Sequence, residues 1–233
     1  MKQYIRVCLL AMVGMVLAIS ANAQNFEGVI TMQMIVPQLG ADKVPMIITS
    51  KAEKSVMEMT IPNQGTMMMY TNRATQKMVM VMAAMKMGYE IDLKKAEQAA
   101  AASNANPSIP KATGQKKTIN GFNCELYTIS PKDGTEVEMW LTGDLPKSLS
   151  SAVGGAISGM NKMNTGGNSS KAFEEILSKG LVPIEFDAKT AGQVVATIQF
   201  VKYEQKPIAD SYFVVPSDIS VQPMPDRGSM GGH

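Results

Sequence analysis

Histidine is nearly absent from this chain of 233 residues, and cysteine is scarce. The one histidine is His233, at the end of a glycine-rich stretch, and the two cysteines are Cys8 and Cys124. The sequence therefore contains no H-E-x-x-H zinc motif, no C-x-x-C redox motif and no histidine near a cysteine nucleophile. Cys124 alternates with Phe122 and Leu126 on one strand face, so we expect it to be a buried core residue.

A surplus of charge is also lacking. The chain has 22 basic and 20 acidic residues, and Lys2 and Arg6 at its start account for the basic excess. A nucleic acid or an acidic membrane would be bound through a basic surplus or patch. The nearest candidate, Gln115-Lys116-Lys117, is short, and such runs are usually solvated turns. We therefore expect no nucleic-acid partner.

Catalytic motifs are missing as well. Ser158 lies in G-A-I-S-G, which is not the G-x-S-x-G elbow, and no phosphate-binding glycine loop is present. Glu136 and Glu138 share a strand face with Trp140, in the manner of a glycosidase carboxylate pair beside a sugar-binding ring. Alternating glutamates more often mark a solvated strand. We expect a protein that is not an enzyme and that has no catalytic residues, cofactor or metal.

The start of the chain predicts export. Two basic residues precede an apolar run over residues 7–19, and Ala21-Asn22-Ala23 then supplies small residues where a signal peptidase cleaves. The run is too short to span a bilayer, and no second long apolar run follows. We expect a signal peptide over residues 1–23, cleavage between Ala23 and Gln24, and a periplasmic or extracellular protein without a transmembrane anchor.

Most of the remaining sequence predicts β-strands. Apolar and polar residues alternate, with Met57, Met59 and Ile61 on one face of their strand, which is the period of a half-buried strand. Asn120-Gly121 is a strong signal for a two-residue hairpin turn. The predicted strands cover residues 26–36, 55–61, 67–71, 77–82, 86–91, 116–119, 122–130, 135–141, 182–187, 193–204 and 212–215.

Helical segments interrupt these strands. Asp92 is placed to cap a helix over Leu93–Ala102, and residues 145–179 repeat apolar side chains at three- and four-residue steps. Many strands with late helices and no β-α-β alternation predict an α+β fold, a curled antiparallel sheet with helices covering its concave face. We place this single domain at 24–216 and a disordered tail at 217–233.

Methionine is abundant, with 21 residues against six phenylalanines. Many methionines stand two positions apart, and on a strand this spacing places both side chains on one face, about 7 Å apart. Several strands therefore carry methionine stripes. We predict that these methionines line a ligand cavity, together with two residues from the covering helices. The predicted cavity residues are Met32, Met34, Met57, Met59, Met67, Met69, Met78, Met80, Met82, Val153 and Ile157.

Three stretches resemble a known family. Residues 113–127, T-G-Q-K-K-T-I-N-G-F-N-C-E-L-Y, carry its pattern, and residues 136–141 and 180–184 fit it. The chain resembles the secreted bacterial family catalogued as domain of unknown function number forty-four twelve, common in Bacteroidetes-type organisms, over roughly Asn25 to Pro216. That family is similar in strand order to the LolA and LolB lipoprotein carriers. The resemblance implies a LolA-like half-barrel and a lipid or a lipoprotein acyl chain as partner, but no activity and no catalytic residues.

The methionine stripes have three explanations. Methionine is flexible and fills irregular core volume, it adapts to oily ligands in a cavity, and its thioether selects soft metals such as Cu(I). The leading prediction is an envelope protein that binds or carries a lipid-like ligand, with residues 145–179 as a movable cover. The alternatives are a structural or interaction module with a filled core, and Cu(I) binding. The sequence leaves the ligand and the oligomeric state open.

Overall fold

The computed structural model describes residues 26–37, 43–62, 65–102, 110–129, 135–154, 175–176 and 178–224, and most of these residues lie in strands. Twelve strands within these ranges belong to one sheet. They are β1 Gly28–Ile35, β2 Lys43–Lys51, β3 Lys54–Ile61, β4 Gly65–Asn72, β5 Lys77–Met82, β6 Met87–Asp92, β7 Lys111–Ile119, β8 Phe122–Ile129, β9 Thr135–Thr142, β10 Val182–Thr190, β11 Gln193–Gln205 and β12 Ser220–Pro223.

The sheet consists of two antiparallel runs that meet at one pair of strands. Its order is β12-β6-β5-β4-β3-β2-β1-β11-β10-β9-β8-β7, so β1 and β11 join the two runs. Only β12 runs parallel to its neighbour, β6. The hairpin between β7 and β8 turns at Asn120 and Gly121, with φ of 51° and 84°. Positive φ at both positions is the geometry that the Asn-Gly signal predicts.

The sheet is curled and does not close. In the strand order, β8 is three places from β11, and neighbouring strands lie about 4.8 Å apart, so a flat sheet would separate the two strands by about 14 Å. The rings of Phe122 on β8 and Phe200 on β11 nevertheless have centroids only 6.1 Å apart. The side-chain amide of Asn120 also donates a hydrogen bond of 3.4 Å to the carbonyl oxygen of Phe200. Both contacts require a strong bend of the sheet.

The two faces of the sheet carry different buried clusters. The inner face, which holds Met32 and Met57, forms the large core, and Leu149, Val153 and Ile176 belong to the same cluster. The outer face of β3 to β5 carries a smaller cluster built on Val56, Tyr70 and Val81, which the C-terminal segment covers with Phe213, Val215 and Ile219. The C-terminal segment therefore packs on the outside of the sheet before it reaches β6.

Helical residues in the described ranges form α1 over Leu93–Ala102 and α2 over residues 147–154, and residues 175–176 and 178 are helical too. Helix α1 has the predicted bounds, and its predicted cap is confirmed because the Lys95 amide donates to Asp92 Oδ1 at 3.0 Å. Helix α2 packs on the inner face. Most of the described chain is strand, so the predicted α+β class overstates the helical part. Neither helix is long and apolar enough to cross a membrane, within the ranges described above.

Three predictions about elements were wrong. Strand β2 was missed, although Val44, Met46 and Ile48 alternate as buried residues along it. The strand expected at 212–215 is replaced by a 3₁₀ turn over Asp210–Phe213, because this segment lies on the outer face and not in the sheet. The tail expected from residue 217 is ordered as far as β12, whose backbone pairs with β6. The predicted signal peptide lies outside the described residues.

Candidate functional site

A row of methionines crosses six neighbouring strands of the inner face. In each antiparallel pair the residues directly opposite each other share a face, and the register places one methionine of each strand opposite the next. Five strand spacings make the row about 24 Å long. The methionine row consists of Met32 on β1, Met46 on β2, Met59 on β3, Met67 on β4, Met82 on β5 and Met87 on β6.

Burial falls along the methionine row. Met32 and Met46 are fully buried, and Met59 is 6% exposed. Met67, Met82 and Met87 are only partly buried. The row therefore starts in the core at β1 and β2 and reaches the surface at the β4 to β6 end, where its thioethers are accessible to a ligand.

A second row lies beside the first on the same face. It pairs Ile30, Ile48, Met57, Met69, Met80 and Tyr89 across β1 to β6. Met57 and Met69 are buried in the core cluster, as is Met78, which lies opposite Thr71 and Ile91. Met34 and Met80 are partly buried and pack against the cluster. Nine methionines predicted from their spacing therefore lie on the same face of the sheet.

The remaining predicted cavity residues come from the cover. Val153 on α2 is fully buried in the core cluster, and Ile157 lies outside the described residues. Sequence reasoning missed Met46 because it missed strand β2, although the alternation of Val44, Met46 and Ile48 is the signal that would have found it. It also omitted Met87, although that residue stands on a predicted strand two positions from Met85.

An apolar cavity of about 310 Å³ opens at the surface end of the methionine row. Three methionine side chains form part of its wall. Met67 and Met82 lie directly opposite each other, and Met85 lies on the 3₁₀ turn that follows β5. Met85 is 58% exposed, an unusual position for a large apolar side chain. The full lining, which we call the rim cavity, is Ile61, Gly65, Thr66, Met67, Met82, Ala84 and Met85.

A second cavity, of about 520 Å³, lies at the other end of the inner face and is more polar. The register places Lys116 opposite Glu125, and Glu125 opposite Leu141, so all three belong to the inner face at β7 to β9. Tyr127 packs against the core cluster beside them. The full lining, which we call the charged cavity, is Lys116, Lys117, Thr118, Asn123, Cys124, Glu125, Tyr127, Leu141, Gly143 and Leu181.

Cys124 is a core residue, as predicted. Its side chain is 2% exposed, and the thiol donates a hydrogen bond of 3.5 Å to the carbonyl oxygen of Phe122. Burial raises the pKa of the Cys124 thiol, because the thiolate would lose its hydration. The reactive thiolate is therefore disfavoured at neutral pH.

Glu138 and Trp140, on β9, each have a lysine partner. Glu138 forms an ion pair with Lys189, and this hydrogen bond raises the pKa of the Lys189 ammonium group. Lys117 lies over the Trp140 ring, with Nζ 4.2 Å from its centroid, and pairs with Glu185 at 2.9 Å. Glu138 is therefore engaged by Lys189 on the adjacent strand β10, and Trp140 by Lys117 on β7, two strands away.

One family model matches this chain, and it is described as a domain of unknown function (DUF4412) over residues 26–219. No curated protein sequence matches the chain. This match confirms the family resemblance that residues 113–127 predict.

Several solved structures are similar to this one at low identity. PNGF-II has a TM-score of 0.44 and 11% identity over 84% of this chain, which spans 30% of the PNGF-II chain. The MucA/MucB complex from Pseudomonas aeruginosa gives a TM-score of 0.45 and 10% identity, covering 86% of this chain and 59% of the other. A LolA-superfamily protein from Nitrosomonas europaea gives 0.33 and 9%, with 83% and 91% covered. At TM-scores below 0.5, these likenesses carry no argument about function.

Proposed function

This chain belongs to the DUF4412 family, whose description names no activity, and we propose a function from the geometry of the site and the predicted export. In this proposal the protein binds an apolar, lipid-like ligand on the inner face of its sheet and acts as a carrier or binding protein of the cell envelope. Binding requires no catalytic group.

The observation that supports this proposal most directly is the burial gradient of the methionine row. A purely structural row would be buried along its whole length, whereas this one ends in a surface cavity with Met67, Met82 and Met85 in its walls. Thioether side chains are flexible and polarisable, so they fit chains of variable shape. The rim cavity has a volume at the lower limit for small-molecule sites, and its lining is mostly apolar.

The described part of the predicted cover consists of α2 and Ile176. Leu149 and Val153 on α2 are fully buried against the sheet, and Ile176 joins them. Ser150 fixes this helix to the sheet, because its hydroxyl donates a hydrogen bond of 2.7 Å to the carbonyl oxygen of Leu181. Movement of the cover away from the methionine row would admit the ligand, in the manner of a lid.

Organic extraction of the natively purified protein, followed by mass spectrometry, tests the proposal. We expect acyl species at about one per chain. The test variant is Met67→Glu, which places a carboxylate in the apolar wall of the rim cavity. We expect this variant to bind a fluorescent fatty-acid probe about tenfold more weakly than the unaltered protein.

Met224→Glu is the matched control, because Met224 follows β12 and is 36% exposed, away from both buried clusters. It should bind the probe as the unaltered protein does. A protein that yields no lipid and whose probe affinity is the same in both variants would instead be a structural or interaction module with a filled core.

Export is the part of the proposal that concerns location. The predicted signal peptide would leave Gln24 as the first residue of the exported protein. Amino-terminal sequencing of protein from a periplasmic or culture-supernatant fraction checks this expectation. Protein that retains Met1 in the cytoplasmic fraction would contradict it.

A further inference from the structure

The charged cavity holds two opposite charges that do not neutralise each other. Lys116 on β7 lies directly opposite Glu125 on β8, and both line the cavity. Among the described residues, neither side chain makes an ion pair within 4.0 Å. A cross-strand pair of this kind could close on itself, so two charges that remain apart are available to a ligand.

The third charge of the lining is already satisfied. Lys117 pairs with Glu185 at 2.9 Å and lies over the Trp140 ring at 4.2 Å. The side chain of Glu185 is 16% exposed and also accepts a hydrogen bond of 3.0 Å from Gln199, so this network is held in place. Within the described lining, the charges without an ion-pair partner are therefore one cation, Lys116, and one anion, Glu125.

The lining also has an apolar part, because Leu141, directly opposite Glu125 on β9, and Leu181 belong to it. Leu141 is 2% exposed and belongs to the core cluster, and Leu181 packs against it. Tyr127 lies opposite Met139, and a directly opposed row continues from there across the inner face. This row runs through Met139, Phe186, Ile198, Met34 and Val44, and it ends two residues along β2 from Met46 of the methionine row.

We infer that the charged cavity binds the head group of a zwitterionic amphiphile, such as a phosphoethanolamine lipid. Its phosphate contacts Lys116, its ammonium group contacts Glu125, and its acyl chain lies on Leu141 and Leu181. The inference rests on the proposed function, since it specifies which lipid-like ligands the inner face accepts. A purely anionic head group would meet Glu125, and a neutral one would leave both charges without partners.

The test compares three lysolipids of one acyl chain, each below its critical micelle concentration, by isothermal titration with the unaltered protein. Their head groups are zwitterionic phosphoethanolamine, anionic phosphoglycerol and neutral glycerol, and soluble phosphoethanolamine forms a fourth arm. We expect the zwitterionic lysolipid to bind about tenfold more tightly than the other two, since two charge-assisted hydrogen bonds are gained. Soluble phosphoethanolamine should bind weakly, because it lacks the chain.

Variants locate the preference. Lys116→Gln and Glu125→Gln should each reduce the affinity for the zwitterionic lysolipid to about that for the neutral one. Lys111→Gln is the control, because Lys111 is on the same strand but opposite Thr128, on the other face of the sheet. Since Lys116 is exposed, its substitution does not disturb the core.

The outcomes separate the two proposals. Equal affinity for the zwitterionic and neutral lysolipids, or tighter binding of the anionic one, overturns the head-group inference and leaves the carrier function standing. A failure of all lysolipids to bind, the neutral one included, overturns both. Tight binding of soluble phosphoethanolamine would place a small metabolite in the cavity and would also overturn the inference as stated.

Discussion

Truncation of a buried methionine of the row should mainly reduce stability, whereas truncation of a methionine at the rim should mainly reduce ligand affinity. Met46→Ala removes a fully buried thioether, and such a change in a core costs about 2–5 kcal/mol because it leaves a cavity. Met82→Ala at the rim removes a side chain that is only partly buried, so about 1 kcal/mol is expected. We therefore expect Met46→Ala to reduce the free energy of unfolding by about 3 kcal/mol, roughly three times the effect at Met82.

Urea unfolding, followed by the fluorescence of the single tryptophan, Trp140, measures this difference. With an m-value of about 2 kcal/mol/M, the midpoint of Met46→Ala should fall by about 1.5 M and that of Met82→Ala by about 0.5 M. The affinity for a fluorescent fatty-acid probe should fall in the reverse order, about fivefold for Met82→Ala and little for Met46→Ala. Equal stability losses at the two positions, or an unchanged affinity in Met82→Ala, would refute the interpretation of the burial gradient.

Four further predictions follow from the structure. Native Cys124 should resist a maleimide reagent and react only on unfolding, as measured by mass spectrometry; rapid labelling of the folded protein would contradict its burial. The backbone hydrogen bond from Lys95 lowers the pKa of the Asp92 carboxyl below its ordinary value of 3.8. The carboxylate should therefore stabilise the fold at pH values above 3.8, and this stabilisation should be lost as the pH falls through the lower pKa of the folded state. Asp92→Ala should therefore lower the melting temperature at pH 7 and leave it unchanged in strong acid, and Asp92→Asn, which keeps an N-cap acceptor, is the control. A chain ending at residue 216 should aggregate more than the full chain, measured by light scattering, because loss of β12 exposes the edge of β6. Cu(I) under reducing conditions should leave the melting temperature unchanged, and a rise of several degrees would favour the metal explanation of the methionines.

Local chemistry explains why some elements could be predicted with correct bounds. Helix α1 follows from a capping Asp92 and a run of good helix formers, and the turn at Asn120 and Gly121 follows from residues that tolerate positive φ. Both depend on interactions within a few residues. The burial of Cys124 was also predictable, because it alternates with apolar residues on one face of its strand.

Elements that depend on distant partners were not predictable in this way. Tyr212 and Val215 have strand propensity, but their segment packs on the outer face of β3 to β5 and takes a 3₁₀ turn. Residues 220–223 lack a strong strand pattern and are fixed by the free edge of β6. The polar network that engages Lys117 joins β7 to β10 across two other strands, and no sequence spacing indicates it.

The sequence by itself determined which face of each strand the methionines occupy, because side chains alternate along a strand with a period of two. Only the tertiary structure decided which methionines become neighbours. Met32 and Met46 meet because β1 pairs with β2 in one register, and a slip of one residue would move a whole strand of side chains to the other face. The curl of the sheet, which brings Phe122 to Phe200, likewise arises from the summed twist and bulges of many strands.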